Sequence, residues 1–331
     1  MKRRLSAAIV TTLVSVAGHA GEPSLIAAPS QPEEPLGRGN SGRNLVADAP
    51  GSCGTVRLGE TTVATLRNAP IVTSFANGMA VTLLLDTGAQ TTILTPPVAQ
   101  RIGAQRPSVE FQRQMHGIAG SLQTSEVELR SFTMGGVAIP WRRVRVAPVN
   151  VASVFSAPPL DGVLGVDTLS SFDVDLDLPG HRLVLYEKQT CAGATPAWTE
   201  HYAKIAAGRS LGDHLFFPVH LEGRKLAAFI DTGAQFTVLS TKAASVLGVT
   251  EAALAHDRVI IVHGAAAEQL SAHVHRFSQL AVGTEIIRNL EIVVTDVRLN
   301  DADLVLGIDF LRSRRMWMSY GSQQIFLLRR T

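Results

Sequence analysis

Leu84-Leu85-Asp86-Thr87-Gly88-Ala89-Gln90 is the most informative stretch of this sequence, because it returns 145 residues later as Phe229-Ile230-Asp231-Thr232-Gly233-Ala234-Gln235. In each copy a short apolar run ends at an Asp-Thr-Gly turn, a pattern that predicts a buried strand followed by a tight turn. A single copy would be weak evidence, since an Asp that caps a turn and a Gly with positive φ explain it. Two copies in the same setting predict two related units in one chain.

The similarity between the two halves continues beyond these turns in the same order. Thr92-Ile93-Leu94 corresponds to Thr237-Val238-Leu239. Farther on, Asp161-Gly-Val-Leu-Gly165-Val-Asp167 corresponds to Asp303-Leu-Val-Leu-Gly307-Ile-Asp309. In each half a helical turn and a closing hairpin are predicted to follow this block. The sequence therefore predicts an all-β protein with little helix, made of two homologous lobes related by a pseudo-two-fold axis.

The composition agrees with a folded, β-rich protein. Of 331 residues, 46% are hydrophobic and 18% are charged, and a chain of this length can bury two separate cores. The predicted domain boundaries are 53–188 for the first lobe, 189–212 for a linker and 213–331 for the second lobe.

The N-terminal region has the features of an export signal. Lys2, Arg3 and Arg4 form a basic segment, an apolar stretch follows, and small residues offer a cleavage point near residue 20. We predict a signal peptide over 1–20 and a flexible segment over 21–52, which places the mature protein in the periplasm or outside the cell. The apolar stretch is shorter than the ~20 residues that span a bilayer, so no stable membrane span is predicted. The formal net charge of +2 favours no nucleic-acid partner.

The chain has two cysteines, Cys53 and Cys191, which flank the predicted first lobe. In an exported protein a disulfide between them is plausible, because edge strands would bring the two ends of the lobe together. The alternative is a pair of unpaired buried thiols.

The two aspartates of the repeated turns are the candidate catalytic residues. An ionisable Asp is costly to bury alone at the end of an apolar strand, so two at corresponding positions are expected to face each other. Carboxyls held this close share a proton, which suits one of them to take a proton from water while the other donates one. Such a pair needs no metal, nucleophilic serine or cofactor, and none is predicted. The support residues predicted around Asp86 and Asp231 are Thr87, Gly88, Thr232 and Gly233.

In these features the sequence resembles the retropepsin-like aspartic proteases, whose catalytic dyad is the standard example of two carboxyls that share a proton. The resemblance rests on two hydrophobic residues before Asp-Thr-Gly-Ala, a Gly-containing segment after it and a later Leu-Gly block, and it covers about 55–187 and 215–328. It implies two retropepsin-like closed β-barrel lobes, an active site between them and hydrolysis of a protein or peptide substrate. The duplication corresponds to a single-chain, pepsin-like arrangement that works as a monomer.

The resemblance also implies a flap, a hairpin that covers the substrate. Its predicted residues are His116, Gly117, Ile118, Ala119 and Gly120. The corresponding segment of the second lobe, 263–267, lacks the second glycine, so the first flap is expected to close on substrate.

Other charged features receive structural interpretations. Asp173, Asp175 and Asp177 alternate along a predicted strand, which is typical of an exposed polar face. The basic cluster 312–315 is expected to be a solvated loop. His273 and His275 lack a third ligand at a suitable spacing, so no metal site is predicted.

Two other interpretations remain open, one of the function and one of the assembly. A protein of this fold could grip extended peptides in its cleft with little or no turnover, although both Asp-Thr-Gly turns are intact. Alternatively, like lobes of two chains could pair in a homodimer.

Overall fold

The computed structural model describes residues 54–107, 113–117, 120–149, 160–191, 194–210, 212–263, 269–297, 299 and 302–329. The predicted signal peptide, the segment 21–52 and Cys53 lie outside the described residues.

The first half of the described chain consists of twelve strands and two short helices. They are β1 Arg57–Leu66, β2 Ala69–Ala76, β3 Met79–Leu85, β4 Ile93–Leu94, α1 Pro96–Arg101, β5 Arg113–Gly117, β6 Gly120–Glu128, β7 Phe132–Met134, β8 Val137–Ala138, β9 Arg143–Val146, β10 Gly162–Leu164, α2 Val166–Leu169, β11 Asp173–Asp177 and β12 Arg182–Tyr186.

The second half repeats this order with some strands fused. Its elements are β13 Ala203–Ala206, β14 Gly208–Arg209, β15 Leu215–Leu221, β16 Arg224–Ile230, β17 Val238–Ser240, α3 Thr241–Val246, α4 Glu251–Ala255, β18 Arg258–His263, β19 Gln269–Val282, β20 Glu285–Thr295, β21 Leu304–Leu306, α5 Ile308–Leu311, β22 Arg314–Ser319 and β23 Gln324–Arg329. The predicted linker thus contains two short strands, β13 and β14.

Matched hairpins lead into the strands that carry the two aspartates. Between β2 and β3, Asn77 and Gly78 have φ values of 51° and 81°, and between β15 and β16, Glu222 and Gly223 have 50° and 76°. Two successive residues with positive φ make a tight hairpin whose twist suits the flanking strands, and glycine adopts this conformation at little cost. These turns fix the register of β3 and β16, and therefore the position of Asp86 and Asp231.

The second lobe is a closed barrel. Its strands follow the order β15-β16-β21-β17-β20-β19, and β19 pairs back with β15. The first lobe follows the corresponding order β2-β3-β10-β4-β9-β6, but the strand that corresponds to β19 is divided into β6 and β7, and it is β7 that pairs with β2. Between the β6–β9 pair and the β7–β8 pair, hydrogen bonds from Leu129 N to Arg142 O (2.7 Å) and from Ile139 N to Phe132 O (2.8 Å) continue the contact. This architecture confirms the all-β, two-lobe prediction.

A sheet shared by both lobes joins the two halves. It runs β13-β23-β22-β11-β12-β1, so that β22 and β23, the closing hairpin of the second half, pair beside the closing hairpin of the first. The main hydrophobic core is continuous across the lobes and includes Leu83 and Leu85 of the first and Leu304 and Leu306 of the second. The lobes therefore fold against each other with a shared interior.

The acidic strand β11 lies inside this sheet, so its prediction as an exposed face was wrong. Asp173, Asp175 and Asp177 are at most 3% exposed. The Asp175 carboxylate accepts hydrogen bonds from Arg315 Nε (2.9 Å), Arg315 Nη2 (2.6 Å) and Trp198 Nε1 (3.2 Å). Burial of the charge is tolerated because a fork of donors from another strand satisfies it.

The prediction of a solvated basic loop was also wrong for two of its arginines, since Arg314 and Arg315 belong to β22. Arg314 is 4% exposed and pairs with Glu285, with a shortest distance of 2.5 Å. Arg315 pairs with Asp175 across the lobes. Both arginines thus help to hold buried strands together.

Asp173 gives the folded protein a defined pH dependence. Burial raises the pKa of Asp173 from 3.8 to about 6, so the folded state holds this proton more tightly than the unfolded chain. Its contribution to stability is therefore full below about pH 4 and is lost as the pH rises through about 6. Asp173→Asn should remove this contribution, so the stability difference between variant and wild type should shift in favour of the variant between about pH 4 and pH 7. Urea unfolding at several pH values measures it, and a difference independent of pH would contradict the assignment.

Cys191 is disulfide-bonded. Cys53, the other half of the predicted bridge, lies outside the described residues. Within the part of the chain that the structure describes, no helix has the length and apolar character needed to cross a membrane.

Candidate active site

Asp86 and Asp231 lie at the ends of corresponding strands, where the two lobes meet. Each follows the last residue of β3 or β16, and its backbone is held by the neighbouring parallel strand. Asp86 N donates to Leu164 O (3.1 Å), and Asp231 N donates to Leu306 O (3.0 Å). Both aspartates are buried, with exposed fractions of 2% and 0%. The structure thus brings together the two residues on which the sequence prediction depends.

Each carboxylate is oriented by the turn that follows it. Asp86 Oδ1 accepts hydrogen bonds from Gly88 N and Ala89 N, both at 2.9 Å. Asp231 Oδ1 accepts the same pair from Gly233 N (2.8 Å) and Ala234 N (3.1 Å). Bonds from backbone N–H groups favour the ionised form of a carboxyl and fix its direction. The two turns are therefore built alike, one in each lobe.

The two turns touch through their glycines. A Cβ atom on Gly88 would lie 2.3 Å from Asp231 Cγ, and one on Gly233 would lie 2.5 Å from Asp86 Cγ. Real Cβ atoms do not approach other atoms so closely, so each glycine leaves the space that the opposite carboxyl occupies. Glycine is required at these two positions because the lobes approach each other too closely there for a Cβ atom.

The electrostatic consequence is a shared proton. The pKa of Asp86 is raised well above its ordinary value, first because burial disfavours the charged form, and then because the Asp231 carboxyl contributes a like charge and a side-chain hydrogen bond. Hydrogen bonds from Gly88 and Ala89 act in the opposite direction. Two carboxyls in this contact titrate as a pair, with one proton held between them over a range of pH.

Thr87 and Thr232 join the turns by reciprocal hydrogen bonds. The Thr87 hydroxyl donates to Ile230 O (2.8 Å) and accepts from Thr232 N (3.0 Å). The Thr232 hydroxyl donates to Leu85 O (2.5 Å) and accepts from Thr87 N (3.0 Å). Each hydroxyl satisfies one buried donor and one buried acceptor of the other lobe. These bonds hold the two aspartates in a fixed relation.

Sequence reasoning missed a second pair of carboxylates, Asp167 and Asp309, that supports these turns. Asp167 accepts hydrogen bonds from Thr92 N (2.9 Å) and the Thr92 hydroxyl (2.7 Å), and Asp309 accepts the equivalent bonds from Thr237 (2.9 and 2.8 Å). Burial raises the pKa of both carboxyls. The signal was present in the sequence, because this Thr and this Asp recur at matched positions in both halves.

The predicted flap is a hairpin of β5 and β6, in which His116 pairs with Ser121 and Gly117 pairs with Gly120. Ile118 and Ala119 lie outside the described residues. The second lobe has a corresponding hairpin of β18 and β19, in which His263 pairs with Gln269. Which hairpin covers a substrate stays a prediction.

No group of three or more His, Cys, Asp or Glu side chains suited to a metal ion occurs among the described residues. His275, considered above as a ligand, has its Nδ1 2.6 Å from Asp257 Oδ2. This contact explains its position without a metal.

Comparison with known proteins gives two family matches in tandem. Residues 72–168 match the family described as "Aspartyl protease", and residues 217–313 match the family described as "gag-polyprotein putative aspartyl protease". Each match contains one of the two Asp-Thr-Gly turns. Together with the barrels, they indicate a protein assembled from two related aspartyl protease units.

Individual relatives are more distant. DNA damage-inducible protein 1 of Neurospora crassa is 30% identical over 117 residues, which are 33% of this chain and 23% of that protein. The chain thus matches about a quarter of the length of this curated relative. Among solved structures, an aspartic proteinase from Irpex lacteus aligns over 82% of this chain and 97% of its own, with 13% identity and a TM-score of 0.47.

Proposed function

Since this chain belongs to the aspartyl protease family as a duplicated, retropepsin-like member, we propose that it is an aspartic endopeptidase whose catalytic residues are Asp86 and Asp231. The observation that carries this proposal is the contact of two buried carboxyls at matched strand ends, where Asp86 and Asp231 share a side-chain hydrogen bond and each lies against the glycine of the opposite turn. An aspartate with a purely structural role does not need a second carboxyl in contact with its own, whereas a pair of carboxyls that shares a proton requires this contact.

The reaction follows from the shared proton. The ionised carboxylate takes a proton from a water molecule, whose oxygen attacks the carbonyl carbon of the scissile peptide bond. The protonated carboxyl gives its proton to the carbonyl oxygen, which leaves a neutral gem-diol. When the carbon–nitrogen bond breaks, the carboxyl that accepted the water proton delivers a proton to the leaving amine. The other carboxyl recovers its proton from a gem-diol hydroxyl as the new carboxylic acid forms.

A cleavage assay tests the proposal. The purified protein is incubated with a diverse peptide pool from about pH 3 to pH 8, a range that spans the protonation states in which such a dyad holds one proton. New peptide termini are read by mass spectrometry. Cleavage within peptides is the expected result, whereas binding of peptides without cleavage at any pH would favour the peptide-gripping alternative.

We also propose an exported location and action as a monomer. The basic and apolar pattern of residues 1–20 supports export, and the presence of both Asp-Thr-Gly turns in one chain supports a site that needs no second copy.

A further inference from the structure

His214 is a buried histidine beside the first Asp-Thr-Gly turn, although it belongs to the second lobe. It immediately precedes β15, is 7% exposed, and its Nε2 lies 3.0 Å from Gly88 O. The rings of Phe229 and Phe216 pack against it, with centroid distances of 5.6 and 6.3 Å. It therefore makes a cross-lobe contact at the turn that orients Asp86.

The contact reaches the Asp86 carboxyl through one peptide group. Gly88 C=O accepts from His214, and the N–H of the same peptide unit, Ala89 N, donates to Asp86 Oδ1 at 2.9 Å. A donor on the carbonyl oxygen polarises the peptide and strengthens its N–H as a donor. The imidazole thus acts on the carboxyl without touching it.

In the first lobe, the residue that corresponds to His214 has no side-chain donor. In the first lobe Ile71 pairs with Leu84, and the register of β15 with β16, in which Phe217 pairs with Ala228, places Phe216 opposite Phe229. Because Leu84 and Phe229 are equivalent in the repeat, Ile71 corresponds to Phe216, and Ala69 therefore corresponds to His214. Alanine has no polar side-chain atom, so it cannot donate to Gly233 O. The counterpart bond, Ala234 N to Asp231 Oδ1, is 3.1 Å. The two-fold symmetry of the site is therefore broken at this contact.

The charge state of His214 suits this role. Burial lowers the pKa of His214 below its ordinary value, while the Gly88 carbonyl and the neighbouring Asp213 act to raise it. Asp213 is itself bound by Arg209 Nε (2.6 Å) and by the Ser170 hydroxyl (3.2 Å). At neutral pH the ring is therefore neutral, and its Nε2–H tautomer serves Gly88.

We propose that His214 is a positioning residue that, by donating to Gly88 O, holds the Gly88–Ala89 peptide against Asp86 and makes the two carboxyls of the dyad unequal. This inference rests on the proposed function for its kinetic consequence. Its electrostatic consequence, a lowered first apparent pKa of the dyad, is independent of turnover.

The test compares His214→Phe, which keeps the ring and removes the donor, with His214→Gln, whose Nε2 reaches a similar place. Carboxyl ¹³C NMR of Asp-labelled protein measures the dyad titration. The first apparent pKa should rise by about half a unit or more in His214→Phe and stay near wild type in His214→Gln. On a cleaved peptide, kcat should fall about 10-fold in His214→Phe with little change in KM, and His214→Gln should recover most of it.

His220→Phe is the matched control, because His220 is an exposed histidine on the same strand, β15. An unchanged dyad titration in His214→Phe would overturn the inference, as would equal shifts in both His214 variants, which would indicate packing alone. If the titration shifts as expected but no peptide is cleaved by wild type, the positioning role stands and the endopeptidase proposal fails.

Discussion

Asp86→Asn and Asp231→Asn should each reduce peptide hydrolysis by about 10³-fold or more, because each removes one half of a shared acid–base pair. The amide keeps the Oδ1 acceptor, so Gly88 N and Ala89 N, or their counterparts, still have a partner. Removing one ionisable group from a buried like-charged pair also relieves repulsion. Both variants should therefore remain folded, with a free energy of unfolding equal to or above that of wild type. Initial rates on one cleaved peptide, together with urea unfolding, measure the two effects.

Asp175→Asn provides the matched control. Asp175 is also a buried aspartate, but it belongs to the shared sheet and pairs with Arg315. Its replacement leaves the largely buried Arg315 without its full partner and should cost about 3 kcal/mol of stability, while the folded fraction keeps its activity. If Asp86→Asn or Asp231→Asn hydrolysed peptides as fast as wild type, the dyad would not be the source of catalysis.

The local part of the site was predictable from the sequence. An apolar strand, an Asp-Thr-Gly turn and a later Leu-Gly block are local patterns, and their duplication shows that Asp86 and Asp231 occupy equivalent positions. The structure places both at strand ends, with α2 and α5 following the Leu-Gly blocks as predicted. Hydrophobic periodicity and turn chemistry carry this information because they act between near neighbours in the chain.

The long-range contacts were not predictable in the same way. Alternating acids on β11 are typical of an exposed face, and only the pairing of β11 with β22 reveals Arg315, which is 140 residues from Asp175. His214 is likewise an ordinary histidine until the fold brings it to Gly88 O, 126 residues away. Both depend on how the two lobes meet, which no local pattern specifies.

Gly88→Ala and Gly233→Ala should be the most damaging conservative changes at the lobe interface. The added methyl group would lie 2.3 Å from Asp231 Cγ in the first variant and 2.5 Å from Asp86 Cγ in the second. The carboxyls cannot simply move aside, because each is fixed by two backbone N–H groups. Relief of the overlap requires the turns to separate, which strains the Thr87–Thr232 bonds. We expect a loss of about 1–3 kcal/mol in stability and at least about 100-fold in activity.

Gly208→Ala separates this overlap from the general effect of replacing a glycine by alanine. Gly208 lies in β14, and a Cβ atom there would meet nothing within 4 Å. This variant should stay within about 0.5 kcal/mol of wild type and keep full activity. Thermal and urea unfolding, with rates on the same peptide, compare the three proteins. Wild-type activity in Gly88→Ala would mean that the two turns need not touch, and the shared proton inferred from their contact would lose its basis.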